Sequence, residues 1–302
     1  MKVLVRGGYN HIHNAFLMYT VNVRQMDHGC CSTHPVMFPP EIFTEIFSFL
    51  ASQARVLLAC SQAHPIFARL IEPILYAHVM VNIHDDDDED QHHLKFKPHQ
   101  LSTLLSDNPR IPNYLCSLCV DVFQFDFEAM KELIAILPRL KLERIQVQHT
   151  PTGFVSWEWF PITFRTALVA CISTSFMKEI CLDGTWDVPL SSLADCTGLK
   201  RLTLCYDAVP PSNMSCNFPH LEALELFDWN MDGHSQDFFS WALTHACGLR
   251  SLTLTTSTKN IIQVFLPSLL AICSTSLVNI SIYYTNARKS IYPVTRVVLT
   301  LS

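Results

Sequence analysis

Leu199-Lys200-Arg201-Leu202-Thr203-Leu204 decides the fold, because the same hexamer returns further along the chain. It is Leu221-Glu222-Ala223-Leu224-Glu225-Leu226 in one copy and Leu249-Arg250-Ser251-Leu252-Thr253-Leu254 in another. Looser copies keep apolar residues at the first, fourth and sixth positions. They are Leu115, Leu118, Val120; Leu142, Ile145, Val147; Met177, Ile180, Leu182; and Leu277, Ile280, Ile282. The fourth and sixth residues alternate with others that are mostly polar, which is the period of a short strand with one apolar face.

Between the hexamers the period changes to that of a helix. Met130, Leu133, Ile134 and Leu137 share one face, as do Phe164, Leu168 and Cys171, and Phe238, Phe239 and Leu243. Residues 261–273 form a fourth such segment, whereas 209–219, with Pro210, Pro211 and Pro219, read as loop. Successive first positions lie 27, 35, 22, 22, 28 and 28 residues apart. Each strand-plus-helix unit has an apolar face that only a neighbouring unit covers. Seven recurrences at this period predict an α/β fold over 101–302, an irregular leucine-rich-repeat solenoid with short parallel strands and outer helices. The strands would line the concave side, with Arg201, Thr203, Glu225 and Thr253 among the outward-facing residues. The strand-like end, Val297 to Leu301, leaves the expected C-terminal cap unaccounted for, so a truncated chain is one reading.

Before the repeats, Asp85-Asp86-Asp87-Asp88-Glu89-Asp90 reads as a solvated linker, assigned to 81–100. The net charge is -6, and the 27 acidic residues less these six leave 21 against 21 basic. The body is thus near neutral and lacks the clustered Lys and Arg of a nucleic-acid footprint. Twelve scattered Cys, several inside apolar runs, fit reduced thiols of a cytoplasmic or nuclear protein. No apolar run reaches membrane-spanning length, and no signal-peptide core follows Met1.

Residues 1–35 have no clear period and are read as a weakly ordered leader. From Phe38 the pattern sharpens. Pro39 and Pro40 precede Glu41-Ile42-Phe43-Thr44-Glu45-Ile46-Phe47-Ser48-Phe49-Leu50, and proline fits a helix start. Glu41, Thr44, Glu45 and Ser48 form one polar stripe, and every other position is large and apolar. An ordinary surface helix buries roughly 100° of its circumference; this one must bury far more. Shorter helices are expected at about 54–60 and 65–71, the last stopped by Pro73. Three short helices this apolar need another surface to lie on.

Residues 38–50, together with Leu57-Leu58-Ala59-Cys60-Ser61 and Phe67-Ala68-Arg69-Leu70, resemble an F-box. Pro73 to Val79 is similar to the tail of many fungal F-box-like proteins. The resemblance covers about 40 residues. Phe38 stands where Leu is usual, and the loop at 51–55 lacks the usual Asp-rich turn. It implies a three-helix domain over 36–80 that docks on a Skp-type adaptor and, through it, a cullin, while the repeats bind a protein substrate. The chain would then be the substrate-recognition subunit of a ubiquitin ligase, without catalysis or cofactor of its own. Phe38, Pro39, Ile42, Ile46, Leu50, Leu57, Leu58, Phe67 and Leu70 would be the adaptor contacts. Ile42, Ile46 and Phe49 form one apolar stripe of the first helix, and Phe43, Phe47 and Leu50 another; which faces the partner is open. The alternative is a repeat-type interaction protein whose helices only cap the solenoid, with these residues packed on its own chain.

Cys116-Ser117-Leu118-Cys119 has metal-ligand spacing but no second pair, and it sits in an expected strand, which favours core packing. His84, His92 and His93 beside the acidic run lack the outer hydrogen-bonding groups of a selective metal site. No catalytic constellation is apparent, and the expected metal set is empty.

Overall fold

The computed structural model describes residues 39–83, 94–122, 127–148, 155–193, 195–205, 218, 220–227, 248–256, 276–284 and 295–300. Within them the chain is mixed α/β, with six α-helices and a sheet in which nine strands run parallel. The expected helical faces at 238–243 and 261–273, most of the 209–219 loop, Phe38 and the 1–35 leader lie outside the described residues.

The strands are β1 (His78–Asn82), β2 (Leu94–Phe96), β3 (Ser117–Asp121), β4 (Arg144–Gln148), β6 (Glu179–Leu182), β8 (Arg201–Cys205), β9 (Ala223–Phe227), β10 (Ser251–Thr256) and β11 (Asn279–Tyr284). A tenth, β12 (Thr295–Thr300), pairs antiparallel with β11. The order across the sheet is β12-β11-β10-β9-β8-β6-β4-β3-β1-β2. Two short strands, β5 (Val155–Ser156) and β7 (Thr185–Trp186), pair separately.

The hexamers set the register. Leu118, Ile145, Ile180, Leu202, Leu224, Leu252 and Ile280 stand opposite one another across seven strands. Val120, Val147, Leu182, Leu204, Leu226, Leu254 and Ile282 form the parallel row two residues on. These rows and the seven first-position residues are each at most 3% exposed. Removing such a side chain from water contributes about 1.5–3 kcal/mol, so a slipped register would expose a whole row.

The backbone repeats with the side chains. Just before each strand, one carbonyl accepts two N–H groups from the next copy. The Cys116 carbonyl takes those of Glu143 (2.8 Å) and Arg144 (3.0 Å), the Lys178 carbonyl those of Lys200 (2.8 Å) and Arg201 (2.9 Å), and the Arg250 carbonyl those of Val278 (2.8 Å) and Asn279 (2.9 Å). The series begins at Ala77, whose carbonyl accepts from Cys116 and Ser117. Tyr76-Ala77-His78-Val79-Met80-Val81 is thus an eighth copy, with Val79 opposite Leu118 and Val81 opposite Val120. The expected boundaries shift accordingly. The sheet begins at His78, and the expected linker of 81–100 contributes the end of β1, all of β2 and the start of a helix; the acidic run itself lies outside the described residues.

Helices α4 (Pro98–Asp107), α5 (Phe127–Ile136) and α6 (Ile162–Ile172) follow β2, β3 and β5. Leu101 of α4, Met130 and Leu133 of α5, and Phe164, Leu168 and Cys171 of α6 are buried in the sheet's core, joined by Leu137 just after α5. The first three helices, α1 (Pro40–Phe49), α2 (Ala54–Ala63) and α3 (Pro65–Leu75), build a separate core around Phe47, Ala54, Leu57, Ile71 and Leu75. Pro73 does not stop α3, which runs on to Leu75. It lies in the last turn, where the Tyr76 N–H still reaches the Glu72 carbonyl at 3.0 Å, so the lost hydrogen bond is local.

Candidate docking surface

Helix α1 sits on the helical core by one edge. Phe47 is buried, and Phe43 and Leu50 pack beside it. The Phe43 and Phe67 rings lie 5.0 Å apart, and Phe47 meets Phe67 edge-on at 5.5 Å, which are ordinary separations for paired aromatics. The structure thus assigns Phe43, Phe47 and Leu50 to the inside. Ile42, Ile46 and Phe49 point outward and are 42%, 48% and 80% exposed. Positions i, i+4 and i+7 stack on one helix face, so the three form a continuous apolar stripe. Beside it run Glu41, Thr44, Glu45 and Ser48, all exposed. The Thr44 hydroxyl donates to the Pro40 carbonyl at 3.0 Å and the Ser48 hydroxyl to that of Thr44 at 2.8 Å. These bonds lie within the helix and tie it to nothing else.

The remaining expected contacts divide. Pro39 is exposed, and Leu58 on α2 is 41% exposed. Phe67 and Leu70 are half-buried against the helical core, as is Leu50. Leu70 also borders an open groove with Pro40, Glu41, Thr44, Glu45 and Ser48. Leu57 is fully buried in the centre of that core, so it is a packing residue with no surface to offer. The local sequence alone does not separate it from Leu58, which points the other way. Ile66, at the start of α3, is 45% exposed and was not singled out from the sequence.

Among the described residues the outward face of the sheet is mostly polar. Arg201 is exposed, and Glu225 and Thr253 are half-buried. Thr203 is the exception among the four residues expected there: it is only 8% exposed, and its hydroxyl donates to a Glu225 carboxylate oxygen at 3.4 Å. On the strand-start side, Glu143 meets Lys178 at 2.8 Å, Lys200 meets Glu222 at 2.9 Å and Arg144 meets Glu179 at 3.3 Å. The Lys200 ammonium, hydrogen-bonded to it, holds the Glu222 carboxyl below its usual range.

Cys116 is exposed just before β3 and Cys119 is half-buried on it. Burial, reinforced by Asp121, pushes the Cys119 thiol up to about 12. It is therefore protonated at neutral pH, and the thiolate is the form that binds metal or attacks. Among the described residues no group of three or more His, Cys, Asp or Glu could hold a metal ion, and no helix is long and apolar enough to cross a membrane. His84, His92 and His93 lie outside the described residues. No family model, curated protein or solved structure matches this chain.

Proposed function

We propose that this chain is the substrate-recognition subunit of a Skp–cullin–F-box ubiquitin ligase. On this reading α1–α3 are the F-box, and the sheet with its helices is a leucine-rich-repeat domain that binds a protein substrate. One observation carries it: a ten-residue helix leaves Ile42, Ile46 and Phe49 in water while its other apolar stripe is packed. A helix that only capped the repeats would turn both stripes to its own chain. Exposed apolar stripes of this kind mark protein-binding surfaces, and helix-in-groove recognition reads side chains at this spacing. The function is positional. Holding the substrate beside a ubiquitin-charged enzyme raises its effective concentration, and the chain itself makes and breaks no bond. Such a ligase would work in the cytoplasm or nucleus.

The test is binding of the purified full chain to a purified Skp-type adaptor by titration calorimetry. Ile46→Asp and Phe49→Asp place a charge in the stripe and are expected to weaken binding by more than about tenfold. Ser48→Ala, on the polar stripe, is expected to leave it unchanged. Folded Ile46→Asp and Phe49→Asp proteins that bind like wild type would overturn the proposal. The same purified complex, used to capture cellular proteins, would identify the substrate.

A further inference from the structure

We infer that β2 is a strap that locks a hinge between the helical unit and the sheet. Helix α3 enters β1 through only two residues, Tyr76 and Ala77. Among the described residues, two apolar side chains from beyond α3 pack on the core of α1–α3, Tyr76 and Leu94. Tyr76 belongs to the junction itself, so among the described residues Leu94 is the apolar brace on that core from further along the chain.

Leu94 opens β2, and two residues later Phe96 packs on the core of the sheet. The two side chains share one face of the strand, and along it Leu94 meets the helical core and Phe96 the core of the sheet. The backbone is fixed by parallel pairing with β1: Val79 with Leu94, Met80 with Lys95 and Val81 with Phe96. Immediately after β2, the Lys97 N–H donates to Gln100 Oε1 at 2.9 Å, and Leu101 of α4 is fully buried in the sheet core. The strap is therefore anchored firmly at the sheet end, while one half-buried leucine holds the helical end. All three β2 residues are half-buried, which puts the strap at the low end of local stability. Releasing Leu94 removes that brace and lets the helices pivot about the Tyr76–Ala77 junction. The inference holds whichever partner α1 binds.

Chymotrypsin reads the hinge directly, because it cleaves after aromatic residues and needs an opened backbone. In the native full chain, cleavage after Tyr76 is expected to be slow. Leu94→Ser is expected to speed it more than tenfold, with cleavage after the buried Trp157 and Phe164 as slow as before. Leu94→Met, which keeps the contact, is expected to stay slow. Three results would overturn the strap: wild type cut after Tyr76 as fast as Leu94→Ser, a Leu94→Ser protein as resistant as wild type, or one whose sheet becomes equally sensitive. The last would mean that Leu94 supports the whole fold rather than the hinge.

Discussion

Leu57 and Leu58 are adjacent and chemically identical, yet the first is fully buried and the second 41% exposed. The difference comes from the 100° step of the helix and from where Phe47 and Ile71 lie. Leu57→Ala is therefore expected to cost about 2–5 kcal/mol and Leu58→Ala about 0.5 kcal/mol or less, measured by urea unfolding. The cysteines give a second residue-scale prediction. Burial pushes the thiols of Cys171 and Cys196, which lie fully inside the core, up to about 12. An unfolded thiol ionises near 8.5, so between about pH 9 and 12 the unfolded chain loses protons that the folded one keeps. Stability should be constant with respect to these groups below that window and fall as pH rises through it. Urea midpoints at pH 8 and pH 10.5 would show the drop. A Cys171→Ala, Cys196→Ala double variant should show a smaller drop, though from a lower starting stability.

At the scale of elements, the strands owe their places to turns as much as to their own hexamers. Gly198 lies just before β8, where an added Cβ would meet the Ser175 carbonyl oxygen at 2.9 Å and that of Met177 at 3.0 Å. Both obstacles are backbone from the turn leading into β6, so neither swings aside as a side-chain tip would. Gly198→Ala is expected to cost about 1–3 kcal/mol, again read by urea unfolding. The hexamers themselves were legible because each writes its apolar positions in a fixed 1-4-6 spacing, and the structure keeps all seven in register. The eighth is not legible in the same way because Tyr76 replaces Leu at its first position and because it follows Pro73, a residue expected to end a helix. Helix α1 was legible as a helix from its polar stripe, but its two apolar stripes read alike. Phe67, on another helix, selects Phe43 and Phe47 for the inside by ring packing.

Across the whole molecule, the parallel sheet passes stability from strand to neighbouring strand, as stacked units do. Central strands have partners on both sides, whereas β2 and β12 stand at the ends. Amide hydrogen exchange should therefore be slowest in β4, β6 and β8 and fastest in β2 and β12; equal protection along the sheet would contradict this ordering. By itself the sequence determined the strands and register of the seven hexamers and the helices α5 and α6, because those depend on the spacing of apolar residues along one stretch of chain. It also marked α1 as too apolar for a lone surface helix. Only the tertiary structure decided which stripe of α1 is left in water, that Tyr76 opens another copy of the hexamer, and that Leu94 and Phe96 split between two cores. Each of these depends on side chains brought together from distant segments, and local periodicity carries no information about which distant surface a residue will meet.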